Sequence, residues 1–462
     1  MQYVPLILWE LWARNMFSFV RQKIITYITD KKFSEILQGS IWALSANVFA
    51  TGFGLVTTVI IARMYGADML GIVAILQSFF ILTTIFTVLG TNTSILRLIP
   101  EHITKYSPTS AFKVYQKIQY FVAGLSVITG VILFSASGFI SEVIFSKPHL
   151  QFYFALTAIF IVFKSLMLLN QQAVRGLRLI RAFAFMQLLP HLSKLLILLL
   201  ITFFFFHQDN PVYALIGSFV ATSLVGIWLM NQVFRQKSAA GDIVHPMSLK
   251  DILSISVPML MTSTMMFIIG QTGVLILGMF RPEAQVGYYA IAVKLASLST
   301  FVLTAINSMA APKFSELYHS DKVDDLFYVA KKSAKLIFWT TTPILIGFIV
   351  LGKPVLQTVF GSEFAIAYPA LILLALGQFV NSAAGATGYF MNMTGHQNMF
   401  RNIVFIAALT NIVLNILLIP QFGLYGAAIA AMVSIMIWNI ATLHYIKKKF
   451  GKTTGYFPFL AS

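Results

Sequence analysis

Three lysines lie inside strongly apolar stretches of this sequence, where little water is available to solvate a charge. They are Lys164, Lys194 and Lys294. A charged side chain at the centre of a bilayer costs about 2.5–3.5 kcal/mol on insertion scales, so such lysines are retained where they face water or a partner. All 15 acidic residues are predicted to lie in loops or at helix ends. The simplest counter-charge for the lysines is therefore an anionic ligand.

Snorkelling and neutralisation would each retain the lysines without a ligand. In snorkelling, the side chain extends along lipid to the headgroups, but a lysine reaches only roughly 6 Å, against about 15 Å from midplane to interface. Snorkelling would account for Lys294, which is predicted to lie about 12 Å from the outer face of the membrane. It would not account for Lys164 or Lys194, which are predicted to lie about 18 Å along their helices, near the midplane. Alternatively, desolvation would hold the lysines neutral.

Further polar residues recur at helical spacing with the lysines. One stripe is Lys164, Gln171, Arg175 and Arg178, a second is Gln187, His191 and Lys194, a third is Asn47, Thr51, Gly54 and Thr58, and a fourth is Thr84, Thr87, Thr91 and Ser94, ending near Arg97. The two lysine stripes favour a water-filled cavity, whereas the threonine and serine stripes are equally consistent with hydrogen bonds between helices. A lone histidine without a carboxylate is a poor metal site, so no metal is predicted.

Transmembrane helices are the elements that must position these side chains. The 462 residues are 58% hydrophobic and 10% charged, with a mean hydropathy of +0.83, whereas soluble domains are about 45–50% apolar and about 25% charged. Twelve apolar segments are long enough to span a bilayer: 40–62, 72–98, 118–141, 152–173, 182–206, 211–234, 252–280, 286–311, 334–352, 364–392, 402–419 and 423–446. We therefore predict an all-α integral membrane protein with about 12 transmembrane helices in two six-helix lobes around a central cavity.

The domain boundaries follow from these segments. We predict an amphipathic segment on the cytoplasmic face at 1–38, an N-terminal lobe at 39–234, a cytoplasmic linker at 235–250, a C-terminal lobe at 251–450 and a cytoplasmic tail at 451–462. The loop at 64–71 aligns with the loop at 280–287, and both are followed at the same distance by an Ala-Ile pair. The two lobes are therefore predicted to be repeats with the same orientation.

The net charge of +17 is mostly a topology signal. With both termini placed in the cytoplasm, 25 basic residues lie on the inner side and four on the outer side, namely Arg63, Lys147, Arg281 and Lys353. The inner charges face anionic membrane lipid, and no nucleic-acid partner is predicted. Because the chain has no cysteine, disulfides, iron–sulfur clusters and thiol nucleophiles are excluded.

Four stretches of the sequence carry a family resemblance. They are ARMYG at 62–66 followed by Gly71, VGYYAIAVKL at 286–295, VFGSEF at 359–364 and NIVLNILLIPQFGLYGAAIA at 411–430. With them the chain resembles the polysaccharide or O-antigen flippases of the multidrug/oligosaccharidyl-lipid/polysaccharide exporter superfamily. The last stretch is the most specific.

The resemblance implies a transporter in the cell inner membrane. Such a protein moves a polyprenyl-diphosphate-linked glycan from the inner to the outer leaflet by alternating access, alongside other polysaccharide-assembly proteins. The family's cationic cavity would correspond here to Lys164, Lys194 and Lys294, with Arg97 and Arg175 near the cytoplasmic mouth. Only Lys294 belongs to one of the four stretches.

A multidrug exporter and a glycan-processing enzyme stay open as functions at this point. A multidrug exporter of the same superfamily would use membrane-embedded carboxylates, and the sequence predicts none. A membrane glycan polymerase or ligase usually needs a large external loop with catalytic groups, but no predicted outer loop exceeds about a dozen residues. The sequence contains no nucleotide-binding motif, and neither an enzyme active site nor a cofactor is predicted.

Overall fold

The computed structural model describes residues 31–237, 242 and 244–458. Within these ranges the chain is helical and has no strand. Most of the predicted surface segment 1–38 lies outside the described residues, as do residues 238–241 and 243 of the linker and 459–462 of the tail.

The N-terminal lobe is built from six helices, of which the first holds more than one predicted segment. They are α1 (Lys31–Val88), α2 (Thr91–Lys105), α3 (Pro108–Ser135), α4 (Gln151–Gly176), α5 (Ile180–Phe204) and α6 (Asn210–Lys237). Gly66 has a φ of 80° inside α1, a conformation that glycine adopts without a steric penalty. It divides α1 into a first arm, 31–65, and a second arm, 67–88.

The C-terminal lobe contains eight helices because two of its crossings are interrupted. They are α7 (Leu249–Phe280), α8 (Glu283–Ser297), α9 (Thr300–His319), α10 (Val323–Val355), α11 (Tyr368–Ala384), α12 (Thr387–Met393), α13 (Gln397–Phe422) and α14 (Leu424–Phe450). Between α8 and α9 the chain bends by 42°. Gly385, between α11 and α12, has a φ of 72°.

The twelve predicted crossings are all accounted for in the described chain. Nine of its helices are long and apolar enough to span a membrane, and the bent pair α8–α9 gives a tenth. One of the nine, Ser45–Val88, holds two crossings, one on each side of Gly66. The remaining crossing is α7, whose apolar part Phe267–Phe280 is shorter. The prediction of a multi-pass all-α membrane protein is confirmed.

The two lobes repeat the same irregular connection. A π-helical turn, Ile140–Ile144, and a 3₁₀ turn, Pro148–Leu150, join α3 to α4. In the second half a π-helical turn, Leu356–Phe360, and a 3₁₀ turn, Ser362–Ala367, join α10 to α11. Residue 356 lies 216 positions after 140, and the same shift carries the loop at 64–71 onto the loop at 280–287. The lobes are therefore structural repeats.

The second arm of α1 crosses α8 at a pair of glycines that this repeat relates. A Cβ on Gly71 would lie 1.9 Å from the Glu283 carbonyl oxygen, and a Cβ on Gly287 would lie 2.2 Å from the Ala67 carbonyl oxygen. Gly287 is the counterpart of Gly71, and Glu283 is the counterpart of Ala67, each 216 positions later in the chain. The repeat therefore exchanges the two close contacts, and the crossing is symmetric about an axis between the lobes. Nearby, Asp68 Oδ1 accepts a hydrogen bond from the backbone amide of Ala284 at 3.0 Å. These contacts hold the lobes together at the predicted outer end.

Candidate functional site

Four basic side chains from three helices lie close enough to interact, and we call them the central cluster. They are Lys164 on α4, His191 and Lys194 on α5, and Lys294 on α8. Lys194 interacts electrostatically with Lys164 and with Lys294, and His191 interacts with all three lysines. The N-terminal lobe supplies three members and the C-terminal lobe supplies one. The three lysines that the sequence singled out separately therefore share one site.

Lys294 joins the two lobes through hydrogen bonds. Its Nζ donates to the carbonyl oxygen of Gly54 and to the hydroxyl oxygen of Thr58, both on the first arm of α1. Lys294 lies 11 positions after Glu283, and Gly54 lies 11 positions before Tyr65. At about 1.5 Å per residue, both are about 16 Å from the predicted outer end. The side chain thus points into the protein, so snorkelling does not explain this lysine.

Gly54 allows the cluster to approach α1 closely. A Cβ at this position would lie 3.3 Å from His191 Nδ1 and 3.5 Å from Lys294 Nζ. The His191 side chain is exposed. Any residue larger than glycine would therefore fill space between α1 and these two basic groups.

Lys164 and Lys194 have different surroundings from Lys294. Lys164 is only 9% exposed, and its Nζ lies 4.3 Å from the centroid of the Phe219 ring on α6. Such a cation–π contact is worth about 2 kcal/mol when it is desolvated. Lys194 is half-buried and makes no hydrogen bond or ion pair with any residue in the part of the chain that the structure describes. Lys194 is therefore the member of the cluster whose charge has no partner within these ranges.

Carboxylates lie elsewhere in the described chain. Its ion pairs involve acidic residues at helix ends or in loops, namely Glu101, Asp209, Glu283, Glu316 and Asp324. None of these pairs includes a lysine of the central cluster. Across the described ranges, no group of three or more histidine, aspartate or glutamate side chains is arranged to hold a metal ion. The cluster is thus a concentration of positive charge without an acidic partner among these residues.

The predicted amides lie beside the cluster or between helices. Gln171 Nε2 donates to the backbone oxygen of Met186 at 2.8 Å and so joins α4 to α5. Gln187 lies one turn before His191, and its buried Oε1 has no donor among the described residues. Asn47 is half-buried on the first arm of α1, seven positions before Gly54.

The three predicted arginines lie at the predicted inner end and make local contacts. Arg97 Nε pairs with Glu101 Oε2 at 3.3 Å. The Arg175 guanidinium lies 5.4 Å from the Phe183 ring centroid. Arg178 is exposed in the turn between α4 and α5, where its φ is 57°. Arg175 is 11 positions beyond Lys164 on the same helix, which is about 16 Å.

For the small hydroxyl residues, the structure shows hydrogen bonds between helices. Thr87 and Ser165 share a hydrogen bond of 2.6 Å between α1 and α4. Ser94 and Ser256 share one of the same length between α2 and α7. At these positions the stripe therefore serves helix association rather than the lining of a cavity.

The most specific sequence stretch, 411–430, packs two helices together. Asn411 Nδ2 donates to Ser434 Oγ at 3.1 Å, and Asn415 Nδ2 donates to Asn411 Oδ1 at 2.9 Å. Gly426 approaches the Leu418 carbonyl, where a Cβ would be 2.5 Å away. These residues hold α13 against α14 and do not contact the central cluster.

Three contacts of the cluster, at Gly54, Thr58 and Phe219, were not predicted as parts of the site. Thr58 belongs to a polar stripe of the sequence, which is a usable signal. Gly54 is in the same polar stripe as Thr58. Phe219 lies 55 positions after Lys164 on another helix, so no local pattern marks it.

Comparisons with known proteins agree with this fold. A family model described as polysaccharide biosynthesis protein matches residues 60–369. The chain is similar to two Haloferax volcanii proteins, named "Probable low-salt glycan biosynthesis flippase Agl15" (27% identity over 173 residues, 37% of each chain) and "Probable flippase AglR" (28% over 177 residues, 38% of this chain and 37% of the other). The match thus spans just over a third of these relatives.

Among solved structures, the fold is similar to that of the lipid II flippase MurJ in an inward closed conformation. The TM-score is 0.64 at 15% identity, covering 89% of this chain and 87% of that one. It is also similar to an inward-facing multidrug resistance transporter of the MATE family, with a TM-score of 0.67 at 16% identity, covering 89% and 98%. These likenesses establish the two-lobe, twelve-helix architecture.

Proposed function

Because the chain belongs to the family described as polysaccharide biosynthesis protein, we propose that it is a flippase for a polyprenyl-diphosphate-linked oligosaccharide. The observation that carries the proposal is the central cluster, where three lysines and a histidine interact electrostatically and no carboxylate of the described chain forms an ion pair with them. The cargo passes from the inner to the outer leaflet by alternating access of the two lobes. The protein binds and moves this cargo without changing it chemically.

The diphosphate fits the central cluster in charge. Lys194, which has no partner among the described residues, makes the first ion pair, and Lys164 and His191 lie beside it. A hydrogen bond to a charged group contributes about 1.5–3 kcal/mol. Neutralising the headgroup in this way lowers the cost of carrying it past the midplane. The lipid tail stays in the surrounding membrane.

Lys294 couples anion binding to movement of the lobes. In the structure its ammonium donates to two uncharged acceptors on α1, at Gly54 and Thr58. A phosphate oxygen is a stronger acceptor than either. When the headgroup binds, Lys294 exchanges these bonds for the ligand, and the contact between α8 and the first arm of α1 loosens. The C-terminal lobe is then free to move relative to the N-terminal lobe.

The remaining predicted residues have roles in entry and recognition. With both termini in the cytoplasm, Arg97, Arg175 and Arg178 surround the inner mouth and attract the anionic headgroup. Gln171, Gln187 and Asn47 are placed to meet sugar hydroxyls. The inner membrane is the location, and other polysaccharide-assembly proteins are the expected partners. The positive cluster weighs against a multidrug exporter of cations, because it repels such cargo.

A double substitution tests the proposal. Lys164→Ala with Lys194→Ala removes two charge-assisted hydrogen bonds to the headgroup, so we expect at least about a 100-fold loss of pyrophosphate affinity. The purified protein is titrated with inorganic pyrophosphate. In cells that carry the variant as their sole copy, surface glycan is expected to fall to background.

The matched control removes two exposed lysines outside the cluster, Lys322→Ala with Lys353→Ala. It should retain both pyrophosphate binding and export. Inserted protein is quantified in every strain, and Lys194→Gln alone replaces the double variant if that variant does not insert. Normal export by an inserted cluster variant would show that the lysines do not carry the cargo.

A further inference from the structure

A second basic surface lies on α10, outside the central cluster. Tyr328, Lys332, Lys335 and Trp339 recur at i, i+4, i+7 and i+11, so they share one face of the helix. All four are exposed, Tyr328 by 63% and Trp339 by 52%. We call these four residues the α10 stripe. It combines two cations with two aromatic rings near the predicted inner end of the C-terminal lobe.

The chain beyond α14 returns to this face. Lys452 pairs with Asp324 in the first turn of α10. Further on, the backbone amide of Tyr456 donates to the carbonyl oxygen of Ala383 at 2.8 Å. Trp339 Nε1 donates to the Tyr456 hydroxyl oxygen at 3.2 Å. The tail thus runs along α10 and fixes the Tyr456 ring beside the stripe.

The two lysines of the stripe have aromatic neighbours and no acidic partner among the described residues. Lys332 Nζ lies 5.4 Å from the Tyr328 ring centroid, and Lys335 Nζ lies 5.7 Å from the Tyr456 ring centroid. Exposed lysines elsewhere, such as Lys105, do pair with a carboxylate. The Tyr456 hydroxyl accepts from Trp339, and within the described ranges its own hydrogen has no acceptor. Two ammonium groups and one hydroxyl donor are therefore available to an anion.

The same face of α10 becomes apolar beyond Trp339. Ile346 and Val350 lie at i+18 and i+22 from Tyr328, and they are 51% and 65% exposed. Trp and Tyr concentrate at membrane–water boundaries, and basic residues on the cytoplasmic side attract anionic headgroups. A ligand on this face meets positive charge first and then apolar surface, which is the order of groups along a phospholipid.

We propose that the α10 stripe and Tyr456 bind the phosphate of an anionic phospholipid. The phosphate oxygens accept hydrogen bonds from the two lysine ammonium groups and from the Tyr456 hydroxyl. An acyl chain lies along Ile346 and Val350. Because Tyr456 belongs to the tail, the bound lipid also stabilises the tail against the C-terminal lobe. This site is separate from the central cluster, and it does not depend on what the protein transports.

Lipid retention by the full-length protein tests this site. Wild type and Lys332→Gln with Lys335→Gln are purified in detergent with equal amounts of phosphatidylglycerol and phosphatidylcholine, and bound lipid is counted by native mass spectrometry. We expect wild type to retain phosphatidylglycerol preferentially. The affinity of the variant for phosphatidylglycerol should be at least about tenfold lower, since each lysine near an anionic lipid surface adds to the binding free energy. Phosphatidylglycerol is also expected to raise the thermal midpoint of wild type more than that of the variant.

The control variant is Lys447→Gln with Lys448→Gln, which makes the same charge change in the last turn of α14. It should keep the preference for phosphatidylglycerol. An equal loss in this control, or an unchanged preference in the stripe variant, overturns the proposal. Tyr456→Phe, which keeps the ring, should weaken retention by about threefold and serves if the double variant does not fold. If an acidic peptide raises the midpoint while phosphatidylglycerol does not, the occupant is a protein segment and the lipid site is wrong.

Discussion

The two lobes share one helix pattern, yet they carry different residues at the same place. Lys194 lies 14 positions after Ile180, the first residue of α5, and Asn411 lies 14 positions after Gln397, the first residue of α13. The shift between the lobes is 217 here instead of 216, because the connection from the π-helical turn to the next long helix is one residue longer in the C-terminal lobe. Lys194 makes no hydrogen bond or ion pair within the described chain, whereas Asn411 donates to Ser434 at 3.1 Å. At this position the C-terminal lobe therefore has an amide that is hydrogen-bonded within the lobe. The N-terminal lobe has a lysine without such a partner among the described residues.

The preceding pair of helices shows the same difference. Lys164 lies 13 positions after the first residue of α4, and Asn381 lies 13 positions after the first residue of α11. Asn381 donates to Gln378 Oε1 at 3.1 Å and accepts from Asn439 at 3.2 Å. The repeated backbone thus does not fix the chemistry of its inner positions. One copy has lysines without a carboxylate partner among the described residues, and the other uses amides to hold its own helices together.

The largest expected effect comes from giving the C-terminal lobe the residue of the N-terminal lobe. Asn411 is 1% exposed, so Asn411→Lys buries a charge and removes the hydrogen bond to Ser434. We expect a loss of stability on the order of 3–5 kcal/mol. Thermal unfolding of the purified protein in detergent measures it.

Gln397→Lys, at the exposed start of the same helix, adds the same charge and should change stability by less than about 0.5 kcal/mol. If Asn411→Lys unfolds no earlier than this control, position 411 tolerates a charge as its N-terminal counterpart does. The contrast between the lobes would then fail.

The crossing of α1 and α8 at Gly71 and Gly287 tests a feature that the two lobes share. Gly71→Ala and Gly287→Ala each place a Cβ within 2.2 Å of a carbonyl oxygen across the interface. Each should destabilise the contact by about 1–3 kcal/mol, and by similar amounts. Thermal midpoints measure both, with Gly124→Ala as control because a Cβ there meets nothing within 4 Å. Markedly unequal losses would contradict a symmetric contact.

The smallest expected effect is on binding and comes from the reverse exchange. Lys194→Asn gives the N-terminal lobe the residue of its counterpart and removes one ammonium group from the central cluster. We expect about a tenfold loss of pyrophosphate affinity, as for one charge-assisted hydrogen bond, with an unchanged thermal midpoint. Titration with inorganic pyrophosphate measures the affinity. Unchanged affinity would mean that Lys194 does not pair with the anion.

Much of the architecture could be predicted because its causes are local. Hydropathy and segment length are properties of consecutive residues, so the sequence alone determined the twelve crossings and their division into two sets of six. The interruptions were not predictable in this way. Gly90, for example, has a φ of 78° where the chain passes Ser256 of α7, and a Cβ there would lie 2.2 Å from the Ser256 carbonyl oxygen. That requirement comes from another helix.

The sequence also determined which charges lie within apolar segments long enough to span a membrane, since a lysine inside such a segment is visible without a structure. Periodicity placed Lys164 and Lys194 each on a polar face of its helix, but it did not say which residues that face contacts. Only the tertiary structure decided that Lys294 reaches Gly54 and Thr58 and that Lys164 lies over Phe219. These contacts join helices far apart in the chain, and the relative placement of such helices depends on packing across the whole molecule.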